Sequence, residues 1–111
     1  MKFNDFEADN GIVVLDLSGK IMGGEETTMF HGKLHEYIRS GKKQFVIDLE
    51  KVEWMNSVGL GMLISALTTA KDAEGRLVLA NITNIESILA MTRLITVFEH
   101  YDSRDKALAS F

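Results

Sequence analysis

The stretch that decides the fold is FVIDLEKVEWMNSVGLGMLISALTTAK, Phe45 to Lys71. Phe45 to Leu49 is an apolar run rich in β-formers and reads as a buried strand. The charged residues Glu50 to Glu53 read as a loop. Trp54-Met55-Asn56-Ser57-Val58-Gly59-Leu60-Gly61 then turns the chain into a helix. Leu60, Leu63, Ile64 and Leu67 recur at helical spacing and predict its buried face. Asn56 is a good N-cap, because its side-chain oxygen accepts from an N–H of the first turn that has no partner in the helix. With Asn56 as cap, Ser57 is the first helical residue and its hydroxyl is free. It lies at the positive end of the helix dipole, a place that suits a phosphate.

Downstream, Glu74-Gly75 reads as a turn and Arg76 to Ala80 as another apolar strand. Strand, helix and strand at this spacing imply parallel pairing through a right-handed crossover. Thr83 and Glu86 predict a capping box for a further helix whose inner face is Ile85, Ile88 and Leu89. Val97-Phe98 is the candidate last strand. A terminal helix over Asp102 to Phe111, capped by Asp102 or Ser103, turns Ala107, Leu108 and Phe111 inward.

Upstream, Glu25 to Ser40 reads as a helix with acidic residues at its start and Gly41 at its end. Phe30, Leu34, Tyr37 and Ile38 form its apolar stripe. Before it, Lys2 to Ala8 and Ile12 to Leu17 read as strands joined by Asp9-Asn10-Gly11, and Asn-Gly is a strong hairpin signal. Ser18 to Gly24 breaks the second strand. Its Gly23-Gly24 pair lacks the spacing of a phosphate-binding loop and reads as a connector. The expected architecture is α/β: one domain over residues 1–111. Its mixed sheet has parallel central strands and an N-terminal β-hairpin, packed by about four helices.

At 111 residues, with 46% hydrophobic and 25% charged residues, the chain has the composition of a small globular domain. The net charge of -4, with no basic patch against it, argues against a nucleic-acid partner. There are 0 cysteines, which excludes disulfides and thiol chemistry. No apolar run approaches the roughly 20 residues of a membrane span, and Met1 to Gly11 lacks the apolar core of a signal peptide. These features point to a cytoplasmic protein.

Catalytic chemistry finds few candidates. Ser57 has no His or Lys near it in sequence and is not in a GxSxG elbow, so no catalytic residue is assigned. His31 and His35 are one helical turn apart, yet no acidic residue completes a metal motif between them. They read as surface histidines, and no metal or cofactor is expected. Gly59 and Gly61 lie inside the predicted helix, where each costs roughly 1 kcal/mol against Ala. Either a neighbouring strand or a partner protein comes close there. Val58, Met62 and Thr69, with Ser65 beside them, are expected on the outer face of that helix. Met22 from the preceding loop and Met55 complete the expected partner-binding set, methionine being common at adaptable surfaces.

Asp48-Leu49 followed by Trp54 to Gly61 resembles the core signature of STAS domains, in particular the bacterial anti-sigma-factor antagonists. That signature reads Asp-Leu, a short loop, an aromatic or aliphatic pair, then Asp-Ser-Ser/Thr/Ala-Gly-Leu-Gly. Here Asn56 stands at the usual Asp, and Val58 follows Ser57, leaving Ser57 as the one available hydroxyl. The resemblance covers nearly the whole chain and implies the same fold. It implies phosphorylation at Ser57 by a partner that is both anti-sigma factor and serine kinase, with a cognate phosphatase to reverse it. The unmodified form would bind that partner and free the sigma factor. The resemblance also admits an unphosphorylated scaffold subunit of a signalling complex or a transporter ATPase assembly.

Overall fold

The computed structural model describes residues 1–111. Strands β1 (Lys2–Glu7) and β2 (Val13–Ile21) form the N-terminal hairpin. A 3-10 turn at Asp9–Gly11 joins them, with Asn10 at φ 66°. Helix α1 (Glu25–Arg39) leads to β3 (Gln44–Met55), α2 (Ser57–Asp72) and β4 (Arg76–Ala80). A 3-10 turn (Thr83–Ile85), α3 (Glu86–Met91), β5 (His100–Tyr101) and α4 (Arg104–Ala109) complete the chain. The five strands lie in chain order across one sheet. β1 runs antiparallel to β2, and every other pairing is parallel.

Side-chain alternation along the strands divides the core between the two faces of the sheet. Val13, Leu15, Leu17, Phe45, Ile47, Leu49, Leu77 and Leu79 face α1, α2 and α3 in one large apolar cluster. Val14, Val46, Val78 and Ala80 face the other way and meet Ala107 of α4. Burying a Leu or Phe contributes roughly 1.5–3 kcal/mol, so the first face carries most of the stability.

Four local expectations need correction. Glu50 to Glu53 is not a loop, because β3 continues to Met55. Likewise β2 continues to Ile21, through irregular pairing around Leu17 and between Gly19 and Lys20. Beyond the end of β4 these segments form a two-stranded ribbon, with Lys20 opposite Trp54 and Ile21 opposite Met55. Asn84 covers its open edge, donating from Nδ2 to the Val52 carbonyl at 2.9 Å. The capping box of Thr83 and Glu86 does not form, since α3 starts at Glu86 without a side-chain cap. The turn before it is set instead by buried Ile82 and Ile85 and by Asn84 on the ribbon. The last strand is His100–Tyr101 rather than Val97-Phe98. Phe98 turns into the core and Val97 stays exposed.

Candidate functional site

The site forms where the ribbon hands over to α2. Asn56 has extended backbone angles, φ -101° and ψ -172°, and caps the helix as expected. Its Oδ1 accepts from the N–H groups of Val58 and Gly59, each at 3.0 Å. Its own N–H donates to the Ile21 carbonyl at 3.2 Å, which ties the helix start to the end of β2. Ser57 is the first helical residue and is exposed. Because Asn56 supplies the cap, the fold does not use the Ser57 hydroxyl.

The two glycines differ. A Cβ on Gly59 would stand 2.6 Å from the Ile21 carbonyl oxygen, so this glycine lets α2 pack on the end of β2. A Cβ on Gly61 would meet nothing within 4 Å, and Gly61 is exposed. Of the two explanations open to the sequence, Gly59 therefore takes the neighbouring strand, and nothing inside the chain requires Gly61.

Met62 and Met55 correct the expected contact set. Both are buried, at 3% and 2% exposure, in the large apolar cluster. Helix α2 packs over a wide arc, from Met62 through Ala66, Gly59, Ala70, Leu63 and Leu67 to Leu60. At 3.6 residues per turn that arc is roughly 160°, and the Leu60–Leu63–Leu67 stripe marked only one side of it. Met55 turns inward because β3 is still a strand there, its side chain alternating with that of exposed Trp54. Thr69 is half-buried at the margin. Val58 and Met22 are exposed as expected, at 55% and 54%. A Cβ on Gly23 would touch Val58 Cγ1, which places the Met22–Gly24 loop directly beside the first turn of α2.

The outer face of α2 thus consists of Ser57, Val58, Gly61, Ser65 and Thr68. From Ser57 to Ala70 the helix carries no charged residue. Trp54, 49% exposed on the ribbon, was not expected at the surface. Reading Glu50 to Glu53 as strand, with alternation running on to Met55, would have exposed it. His31 and His35 occupy successive turns of α1; burial, then repulsion from His35, lowers the His31 pKa below its ordinary value. No cluster of three or more His, Cys, Asp or Glu residues stands together. No helix is long and apolar enough to cross a membrane.

A family model described as STAS domain matches residues 5–107. A Bordetella bronchiseptica protein named as a candidate anti-sigma factor antagonist, BtrV, is 20% identical over 103 residues, covering 92% of this chain and 88% of its own. A crystal structure of a candidate anti-sigma factor antagonist from Thermotoga maritima superposes with a TM-score of 0.84 at 21% identity. That match covers 97% of this chain and 92% of the other. The Bacillus anti-sigma factor antagonist SpoIIAA, solved in unphosphorylated and phosphorylated forms, gives 0.76 at 17% identity with both. These matches cover 98% of this chain and 96% and 98% of the two SpoIIAA chains. The structural likenesses establish the fold.

Proposed function

The chain belongs to the STAS domain family, and from that premise we propose that it is a cytoplasmic anti-sigma factor antagonist switched by phosphorylation at Ser57. The observation that carries this reading is the exposed Ser57 hydroxyl beside a helix cap that Asn56 already supplies. The hydroxyl is available to an incoming active site, and its modification leaves the cap intact.

In this reading the domain is a phosphoacceptor and not a catalyst. Ser57 Oγ attacks the γ-phosphorus of ATP held by a partner that is both anti-sigma factor and serine kinase. The bond to the ADP leaving oxygen breaks, and the serine proton passes to a base on the kinase. The product, phosphoserine, carries about -1.5 to -2 charge. The α2 dipole favours that charge at its N-terminus. The Val58 and Gly59 N–H groups do not wrap the phosphate, because Asn56 Oδ1 already holds them. The fold survives phosphorylation, and the change falls on the contact surface. Desolvating a dianion against an apolar partner is costly, so the partner leaves and recaptures its sigma factor. A cognate phosphatase restores the binding form. The absence of a charged side chain from Ser57 to Ala70 supports a contact made by shape and apolar area.

The test is to incubate the purified chain with its co-purifying kinase and ATP, then measure intact mass and partner affinity. One phosphate on Ser57 is expected. Ser57→Ala should bind without being modified, and lose no more than about 1 kcal/mol of stability. Ser57→Asp should fold, with the carboxylate favoured by about 0.3–1 kcal/mol in the first turn, and bind weakly. If Ser57 takes no phosphate and Ser57→Asp binds like the wild type, the switch is wrong and a constitutive scaffold subunit replaces it.

A further inference from the structure

Gly61 is an unpaid expense to the isolated chain. Glycine inside a helix is less stable than alanine, and here a Cβ would meet no atom within 4 Å. Gly61 also occupies the middle of the exposed arc of α2, with Ser57 and Thr68 on one side and Ser65 and Val58 on the other. A helix face left to solvent ordinarily carries charge; this one has none between Ser57 and Ala70. Beside its first turn stands the Met22–Gly24 loop, followed at once by Glu25 and Glu26. Both carboxylates are exposed and neither is in an ion pair.

We infer that the bare backbone at Gly61 is where the anti-sigma partner comes closest. A segment of that partner rests on the uncharged arc between Val58 and Ser65, nearer than a Cβ would permit. Glu25 and Glu26 meet Lys or Arg side chains at the rim of the same partner surface. The inference rests on the function proposed above and adds to it the point of closest contact and the charge of the partner. An apolar centre with a charged rim is ordinary interface anatomy. The rim charges act on encounter rate and salt dependence more than on contact area.

Gly32 supplies the control. It lies in α1, is exposed, and a Cβ there would also meet nothing within 4 Å. The probe is the anti-sigma kinase that co-purifies with unmodified protein, identified by mass spectrometry. Gly61→Ala and Gly32→Ala should each melt roughly 4–8 °C higher, as expected when a glycine-to-alanine change stabilises a domain of this size. Gly32→Ala should bind like the wild type. Gly61→Ala should bind roughly tenfold more weakly, the loss typical of an important contact position. Gly61→Leu should abolish binding while remaining folded. Glu25→Gln with Glu26→Gln should slow association and flatten its salt dependence. Wild-type affinity in Gly61→Ala and Gly61→Leu overturns the close approach, and Ser57→Asp release in the same assay shows that the switch itself still stands. A lower melting temperature in Gly61→Ala also overturns it, by giving Gly61 a role in the fold. An unchanged association rate in the double Gln variant overturns the basic rim. If Ser57→Asp and both Gly61 variants all bind like the wild type, the switch and the close approach fall together.

Discussion

The two faces of the sheet are held by different forces. On one face α1, α2 and α3 cover a continuous cluster of 23 buried apolar residues. On the other, the cluster has six, and α4 contributes one of them, Ala107. A helix as short as α4 does not hold its shape alone, and so little apolar area does not hold it down. Charge does much of that work. Asp16 and Asp48 sit side by side on β2 and β3, at 9% and 1% exposure. Arg104 of α4 joins them, with Nε 2.7 Å from Asp48 Oδ2 and a terminal nitrogen 3.2 Å from Asp16 Oδ2. Asn81 Nδ2 at 2.9 Å and the Glu50 N–H at 3.1 Å donate to the other Asp48 oxygen. At the far end, Arg76 donates to the Ser110 carbonyl at 2.9 Å and lies 4.5 Å from the centroid of the Phe111 ring. The apolar face therefore answers to volume, and the charged face to pairing, salt and pH.

The largest expected effect tests the apolar face where the sequence misjudged it. Met62→Lys places a charge at a 3%-exposed position in that cluster and should cost about 4 kcal/mol or more. Urea unfolding measures it. A loss below about 1 kcal/mol would mean that Met62 reaches solvent and that the packed arc of α2 is narrower than described.

Breaking the charged face should cost somewhat less and show up elsewhere. Asp48→Ala strands Arg104 and two other donors, and removing one partner of a buried pair costs about 3–5 kcal/mol; the lower end fits an Arg104 side chain that is 33% exposed. Hydrogen exchange should report early loss of protection in Arg104–Ala109, with α2 opening only in global unfolding. If α2 and α4 lose protection together, the two faces form one cooperative unit and the contrast drawn here fails.

Smaller still is Gly59→Ala, which pushes a methyl against the Ile21 carbonyl. Forced overpacking of this kind costs about 1–3 kcal/mol. The direction matters more than the size, because Gly61→Ala two residues later should raise the melting temperature. Calorimetry of the two variants separates a glycine required by the fold from one the fold does not need.

What the sequence disclosed follows the range of the forces involved. The Asn56 cap and the Asn10-Gly11 hairpin were legible because each is decided within a few residues. The strand–helix–strand pattern from Phe45 to Ala80 was legible because both periodicities are local. The extension of β3 to Met55 was not, since its partner is Ser18–Ile21 and its edge is closed by Asn84. Asp48 stood in plain view inside an apolar strand, yet its meaning lies in Arg104, 56 residues away. Ser57, Val58 and Met22 were placed at the surface correctly. Met62 was misplaced because the buried arc of α2 is set by all its neighbours together.

The smallest effect concerns how the charged face ends. Arg76 Nη2 and Nε donate to the two Glu99 oxygens at 2.6 and 3.0 Å, beside the Ser110 and Phe111 contacts. The hydrogen bonds from Arg76 hold the Glu99 carboxyl below its ordinary pKa, against an opposing effect of burial. The same bonds raise the Arg76 guanidinium, so it stays charged throughout. A carboxyl whose pKa is depressed by folding stabilises the folded state fully above its ordinary range. The contribution fades as pH falls through the depressed value, where the folded form at last takes its proton. Glu99 is 51% exposed, so water and salt screen the pair and the effect is slight. The measurement is the stability difference between wild type and Glu99→Gln across acidic to neutral pH, at low and high salt. The wild type should be modestly more stable at neutral pH and low salt. That advantage should vanish in strong acid and shrink in high salt, where the screening length drops to about 3 Å. An advantage that persisted in acid and in salt would show the clasp acting through shape, as the apolar face does, and the division between the faces would not extend to the end of the chain.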